Sequence, residues 1–278
     1  MAAVDLRPMT LGELLDRTFT LYRENFLLFA GIAALPQLLL LLFNFAVLLF
    51  TRTGLEQVRS AASAGLIGGA ILGGLLAVAL TLFAFAIAQA ATIWAVSEFY
   101  LGRETSIRDA YANSKGQMWM VIAITIMVGL ASGIGLLLLI VPGLILACRL
   151  AVSVPVAIVE KESPVASMER SMALTRGYFW QIFALLLLVG VLSYVVTLLL
   201  QIPVMVSTVT AAMAKHEVSL GMTIYSHLAE FVSSVLVGPI GTISVSLMYY
   251  NLRVQKEGFD IQHLFRSLGA TAAKPLEL

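Results

Sequence analysis

Glu169-Arg170-Ser171-Met172-Ala173-Leu174-Thr175-Arg176-Gly177-Tyr178-Phe179 runs directly into a stretch, Gly177 to Ala214, without a charged side chain. A helix needs about 20 apolar residues to cross the hydrocarbon layer of a bilayer, and this stretch supplies more. The pattern decides the fold class because it recurs. Charge-free runs also cover Leu27 to Thr51, Ser60 to Ser97, Gly116 to Cys148 and Phe231 to Leu252. Of the 278 residues 60% are apolar and 12% charged, and the mean hydropathy is +0.95. A soluble chain carries roughly 25% charged residues. With a net charge of +1 as well, the composition excludes a cytosolic enzyme, a disulfide-stapled secreted domain and a nucleic-acid binder held by net positive charge.

The pattern predicts six spans, near 27–50, 66–97, 118–140, 144–160, 179–206 and 230–252. Val141-Pro142-Gly143 is expected to separate the third from the fourth, since proline lacks a donor and glycine ends helices cheaply. The first apolar run is too long for the core of a cleavable signal, so it is expected to persist as a span. Cys148 lies inside an apolar run and has no second cysteine to pair with. Of 17 basic residues, Arg7, Arg17, Arg23, Arg103, Arg108, Lys115, Lys161, Arg170, Arg176, Arg253, Lys256, Arg266 and Lys274 fall on one side of such a topology. The other side keeps Arg52, Arg59 and Lys215. By the positive-inside rule both termini are expected in the cytoplasm, in a cytoplasmic (inner or plasma) membrane.

The segments before the spans repeat. Asp16-Arg17-Thr18-Phe19-Thr20-Leu21-Tyr22-Arg23-Glu24-Asn25-Phe26 aligns without gaps on residues 169–179, and Lys115-Gly116-Gln117-Met118-Trp119 echoes Arg176-Gly177-Tyr178-Phe179-Trp180. Each copy ends in a basic residue followed by an aromatic or Met at the start of a span. Caps support helices here: Thr10 with Glu13, Ser106 with Asp109, Ser163 before Pro164, and Asp260 before a C-terminal amphipathic helix near 260–269. Leu11, Leu14, Leu15, Thr18, Phe19, Tyr22 and Phe26 form one apolar stripe. The expected architecture is therefore an all-α integral membrane protein: six transmembrane helices as three hairpins, each preceded by an amphipathic interfacial helix. The modules cover about 10–99, 104–160 and 163–252 of a single membrane domain. Arg17, Arg23, Lys115, Arg170 and Arg176 are its candidate lipid-headgroup contacts. The bland alternative is that they are snorkelling anchors that only set span depth.

Residues 11–17 (Leu11-Gly12-Glu13 to Arg17), Leu21-Tyr22-Arg23 to Phe26, Val154-Pro155 to Glu160, Arg170 to Trp180, and Tyr249-Tyr250-Asn251-Leu252-Arg253 to Asp260 carry a family resemblance. In these pieces the chain resembles the bacterial and archaeal membrane-domain family found fused to some glycerophosphoryl diester phosphodiesterases, which also occurs as stand-alone proteins. Asn251 stands where the family pattern has Asp. The resemblance implies a six-helix membrane protein with no assigned reaction. Six spans leave no room in these residues for a catalytic barrel of about 250 residues.

Little in the sequence points to catalysis. His227 and Glu230 are one helical turn apart, but no third metal ligand has suitable spacing. Neither a metalloprotease, a serine-hydrolase nor a phosphate-loop motif is present. Gly65, Gly69, Gly73, Gly129 and Gly133 are expected to seat neighbouring helices, with a sliding helix as the alternative. Arg149 is the one charge well inside a predicted span. At mid-bilayer it would cost about 2.5 to 3.5 kcal/mol and would need a polar partner. Asn44, Gln89, Ser132 and Gln201 are the candidates, and Arg149, Gln89 and Asn44 form the candidate intramembrane polar site. Anchoring and function remain equally open for it. The expected function is a non-catalytic scaffold or accessory subunit without cofactors or nucleic acid. Its expected partners are membrane lipids and a membrane protein or a second copy. The alternative is a small-molecule or lipid transporter or channel with a polar cleft around Arg149.

Overall fold

The computed structural model describes residues 8–58, 63–216 and 218–258. Among these, ten α-helices occur in the order α1 Leu11–Glu24, α2 Phe26–Val58, α3 Ser63–Tyr100, α4 Ile107–Ser114, α5 Met118–Leu138, α6 Ile140–Leu150, α7 Ser153–Glu160, α8 Pro164–Thr175, α9 Phe179–Ala214 and α10 Leu220–Glu257, with a 3-10 turn at Lys115–Gln117 between α4 and α5. No strand occurs among the described residues. Six segments are long and apolar enough to cross a membrane: Phe26–Phe50, Leu72–Tyr100, Ile107–Leu138, Ile140–Glu160, Phe179–Ala214 and Leu220–Glu257. The expected helix near 260–269 lies outside the described residues.

Caps start the short helices. The Thr10 hydroxyl oxygen accepts from the Glu13 amide at 3.3 Å, and the Glu13 carboxylate accepts from the Thr10 amide at 2.8 Å. Ser106 and Ser163 cap α4 and α8 in the same way, and Pro164 fits the first turn of α8 because that turn lacks an acceptor anyway. The three repeat copies converge on α2, α5 and α9, which begin at Phe26, Met118 and Phe179, each just after a short helix. The middle of the α1 stripe packs inward: Leu14 and Thr18 are fully buried, while Phe19 and Phe26 stay exposed. The core lies where these short helices meet the last third of α10, around Phe29, Ile32, Leu174, Ile243 and Tyr249.

The fourth span corrects the sequence reading. The break from α5 falls at Leu139, whose backbone is extended (φ −156°, ψ 128°), not at 141–143. Pro142 is then in the first turn of α6, where the missing N–H costs no hydrogen bond. A second break at Ala151–Val152 divides the span into α6 and α7. Hydroxyls close it: Ser153 donates to the Leu150 carbonyl at 2.8 Å, and Ser171 and Thr175 donate to the Arg149 carbonyl at 2.8 and 3.1 Å. The glycine expectation also changes. At Gly69, Gly73, Gly129 and Gly133 no atom outside the local helix lies within 4 Å of where a Cβ would stand. Close helix approach instead belongs to Gly135 and Gly143, which face each other across the α5–α6 turn.

Three spans contain a proline in mid-helix, Pro36, Pro203 and Pro239. A proline leaves a carbonyl one turn back without its donor, and no water is available in lipid to replace it. A tyrosine from another helix meets each interrupted turn. Tyr111 donates to the carbonyl of Ile32, four residues before Pro36. Tyr225 donates to Leu200 at 2.9 Å and Tyr22 to Leu236 at 2.8 Å, each three residues before a proline. Burial holds the Tyr22 hydroxyl above its ordinary pKa. Tyr111→Phe should therefore destabilise the detergent-solubilised protein by about 1–3 kcal/mol, the cost of a stranded buried carbonyl. Pro36→Ala, which returns an N–H to Ile32, should shrink that loss. Equal losses in both backgrounds of a melting series would show that the two residues are not coupled.

Candidate functional site at the α6–α9 cleft

α8 leaves the left-handed turn at Lys161 (φ 57°) and packs beside the α6–α7 break. Ser171 and Thr175 are four residues apart and so share a face. By gripping the Arg149 carbonyl they hold the last turn of α8 against the end of α6. The chain then extends at Arg176 (φ −62°, ψ 120°) and reverses at Gly177, whose φ of 93° favours a residue without a side chain. α9 begins two residues later, with no side chain capping its first amides.

Between α6 and α9 this leaves an open cleft of about 570 Å³. Leu144, Ile145 and Cys148 line one wall and Phe179, Trp180 and Phe183 the other. Arg149 and Arg176 also line it, their backbones brought near each other by the Thr175 bond to the Arg149 carbonyl. Both are exposed, and among the described residues neither has a carboxylate within ion-pairing distance. Lys256 adds a third positive charge close enough to repel Arg176, while its ammonium group donates to the Ala173 carbonyl.

Two other arginines in this corner are fully engaged. Arg170 bonds the Glu160 carboxylate at 3.0 Å and also Glu257. Arg253 meets Glu257 at 3.2 Å and Glu160 at 3.8 Å. The Tyr249 hydroxyl donates to Glu160 at 2.9 Å and accepts from Arg253 at 3.1 Å. Burial works against the Arg170 charge, but the bonds to Glu257 and Glu160 outweigh it and raise its pKa above the ordinary value. This network ties α7, α8 and α10 together. Beside it, Asn251 clasps the chain before α1: its Oδ1 accepts from the Met9 amide at 2.8 Å and its Nδ2 donates to the Met9 carbonyl at 3.1 Å. An aspartate could make only the first bond.

The structure does not bring the candidate intramembrane trio together. Arg149 lines the α6–α9 cleft. Gln89 lines a second cavity of about 200 Å³ with Pro155, Gly238 and Thr242, where its buried Oε1 has no hydrogen-bond partner. Asn44 lines a third of about 320 Å³ with Gln37, His227 and Glu230. No group of three metal-ligating side chains occurs among the described residues. Of the candidate headgroup contacts, Arg17, Arg23 and Lys115 are exposed and Arg176 lines the cleft, whereas Arg170 is taken by two carboxylates. Sequence reasoning missed Glu160, Tyr249, Arg253 and Glu257 as a unit. Their only signal was that all four lie in the segments carrying the family resemblance.

An all-helical chain with six such segments is an integral membrane protein. It belongs to the family described as the membrane domain of glycerophosphoryl diester phosphodiesterase, whose model matches residues 122–271. That stretch holds both arginines of the cleft and the whole ion-pair network. No curated protein and no solved structure matches the chain.

Proposed function

We propose that this chain is a non-catalytic scaffold or accessory subunit of the cytoplasmic membrane, acting on lipid or on a partner membrane protein. Three hairpins hang from short amphipathic helices at the headgroup level, with the basic collar and both termini in the cytoplasm. The observation that carries this reading is how the charges at the collar are used. Glu160, Arg170, Arg253 and Glu257 close on one another and join helices, while Arg149 and Arg176 face a largely apolar cleft with no carboxylate lining it. Such an arrangement holds a ligand rather than transforming it. The transporter alternative needs a polar route, and Arg149, Gln89 and Asn44 lie in three separate cavities.

Single cysteines replacing Glu104 and Lys215, in a Cys148→Ser background, test the topology. In intact cells an impermeant maleimide should label position 215 and leave 104 untouched, and the reverse pattern overturns the orientation. Reconstituted into vesicles with a headgroup-labelled phospholipid, the protein should leave the inner-leaflet label protected from an external quencher. Loss of that protection would replace the scaffold with a lipid-translocating protein.

A further inference from the structure

We infer that the α6–α9 cleft is a binding site for one anionic phospholipid, its phosphate held between Arg149 and Arg176 and an acyl chain lying along α6. The inference rests on the scaffold reading, which places the cleft at headgroup depth, and names the ligand that reading leaves open.

Charge is the first argument. Four arginines crowd this corner, and the fold neutralises two of them completely, each with two carboxylates. The remaining two point into one cleft with no carboxylate, and Lys256 raises the positive potential further. Guanidinium groups match phosphate oxygens with paired N–H donors. The uncapped first turn of α9 opens on the same end and adds unsatisfied amides and the positive end of a helix dipole.

Shape is the second. From Arg149 the lining of α6 runs through Ile145 to Val141, which is 65% exposed. Eight residues of helix make an apolar track of roughly 12 Å leading away from the charged end. A free phosphate would leave this track empty, whereas a phospholipid fills both ends. Trp180, 76% exposed at the mouth, is the side chain expected at the boundary between headgroup and chain. The site is also rigid where it must be. Ser171 and Thr175 fix the backbone of Arg149, and Gly177 fixes the turn after Arg176, so little ordering remains for the lipid to impose.

Trp119 supplies an internal control. It occupies the matching place at the start of α5 and is 75% exposed, but it is not among the residues lining the α6–α9 cleft. The experiment uses the full chain in phosphatidylcholine vesicles in two forms, one keeping only Trp180 and the other only Trp119. Fluorescence quenching is titrated with chain-brominated phosphatidylglycerol and, separately, chain-brominated phosphatidylcholine. At Trp180 the anionic lipid should reach half-maximal quenching at a mole fraction roughly twentyfold lower than the zwitterionic one, about fivefold for each basic side chain. Arg149→Gln with Arg176→Gln should reduce that preference to the level seen at Trp119. Equal preference at Trp180 and Trp119 in the parent protein overturns the site but leaves the collar intact. Absence of any anionic preference at both overturns the site and the collar together.

Discussion

Replacing Gly143 with alanine should cost about 3 kcal/mol and splay the α5–α6 turn, although it adds a single methyl group. A Cβ at this position would stand 2.5 Å from the Leu136 Cα and 2.6 Å from the Gly135 carbonyl carbon. Both are backbone atoms, so no rotamer change relieves the contact and the two helices must move apart, the costly form of overpacking. Gly135→Ala should follow in the same direction, with its Cβ 2.9 Å from the Gly143 Cα. Gly129→Ala, where nothing lies within 4 Å, should be neutral or stabilising by up to about 1 kcal/mol through helix propensity. Melting of the three variants in mild detergent checks the order. A Gly143→Ala protein as stable as the parent would mean that α5 and α6 do not approach this closely.

Glu160→Ala should be nearly as damaging, at about 2–3 kcal/mol, because one carboxylate serves three partners. Its loss strips a charged hydrogen bond from Arg170, another from Tyr249 and a longer ion pair, at 3.8 Å, from Arg253. A hydrogen bond to a charged group is worth about 1.5–3 kcal/mol, reduced here because the side chains keep 18–33% exposure. The prediction has a signature beyond stability. α8 is held in its middle by this network, through Arg170, and over its last turn by the Arg149 carbonyl, so Glu160→Ala should also raise amide exchange along residues 164–175. Unchanged exchange there would show that the network does not anchor α8.

The spans were readable from the sequence because each depends on one local quantity, a run of side chains without charge. Caps such as Thr10 with Glu13 were readable too, since both partners lie within four residues. What escaped depends on long-range contact. The break after Leu150 falls before a proline, Pro155, that reads equally as a mid-span kink, and the Arg149 carbonyl there is satisfied by hydroxyls on α8, more than twenty residues later. The Gly129 and Gly133 spacing matched a helix-packing pattern, yet nothing within the described chain meets that face. Arg149 read as a buried charge in search of polar partners because the pattern drew a single helix from 144 to 160. With the helix ending at Leu150, the side chain instead stands exposed beside Arg176. That the candidate trio lines three different cavities has the same origin: a charge-free run reports depth but not direction around the helix axis.

The tyrosines at the proline turns have a mechanical consequence. Tyr22 joins α1 to α10, Tyr225 joins α10 to α9, and Tyr111 joins α4 to α2, always at a turn that lacks its own hydrogen bond. In a bilayer that thins or thickens, helices answer by changing tilt, each at a modest cost per ångström. Here a helix that swings away draws a carbonyl off a neighbour's hydroxyl, and at Ile32, whose own helical donor Pro36 removes, that exposes a polar group to hydrocarbon. The spans therefore meet a change in membrane thickness as a linked frame rather than as independent rods.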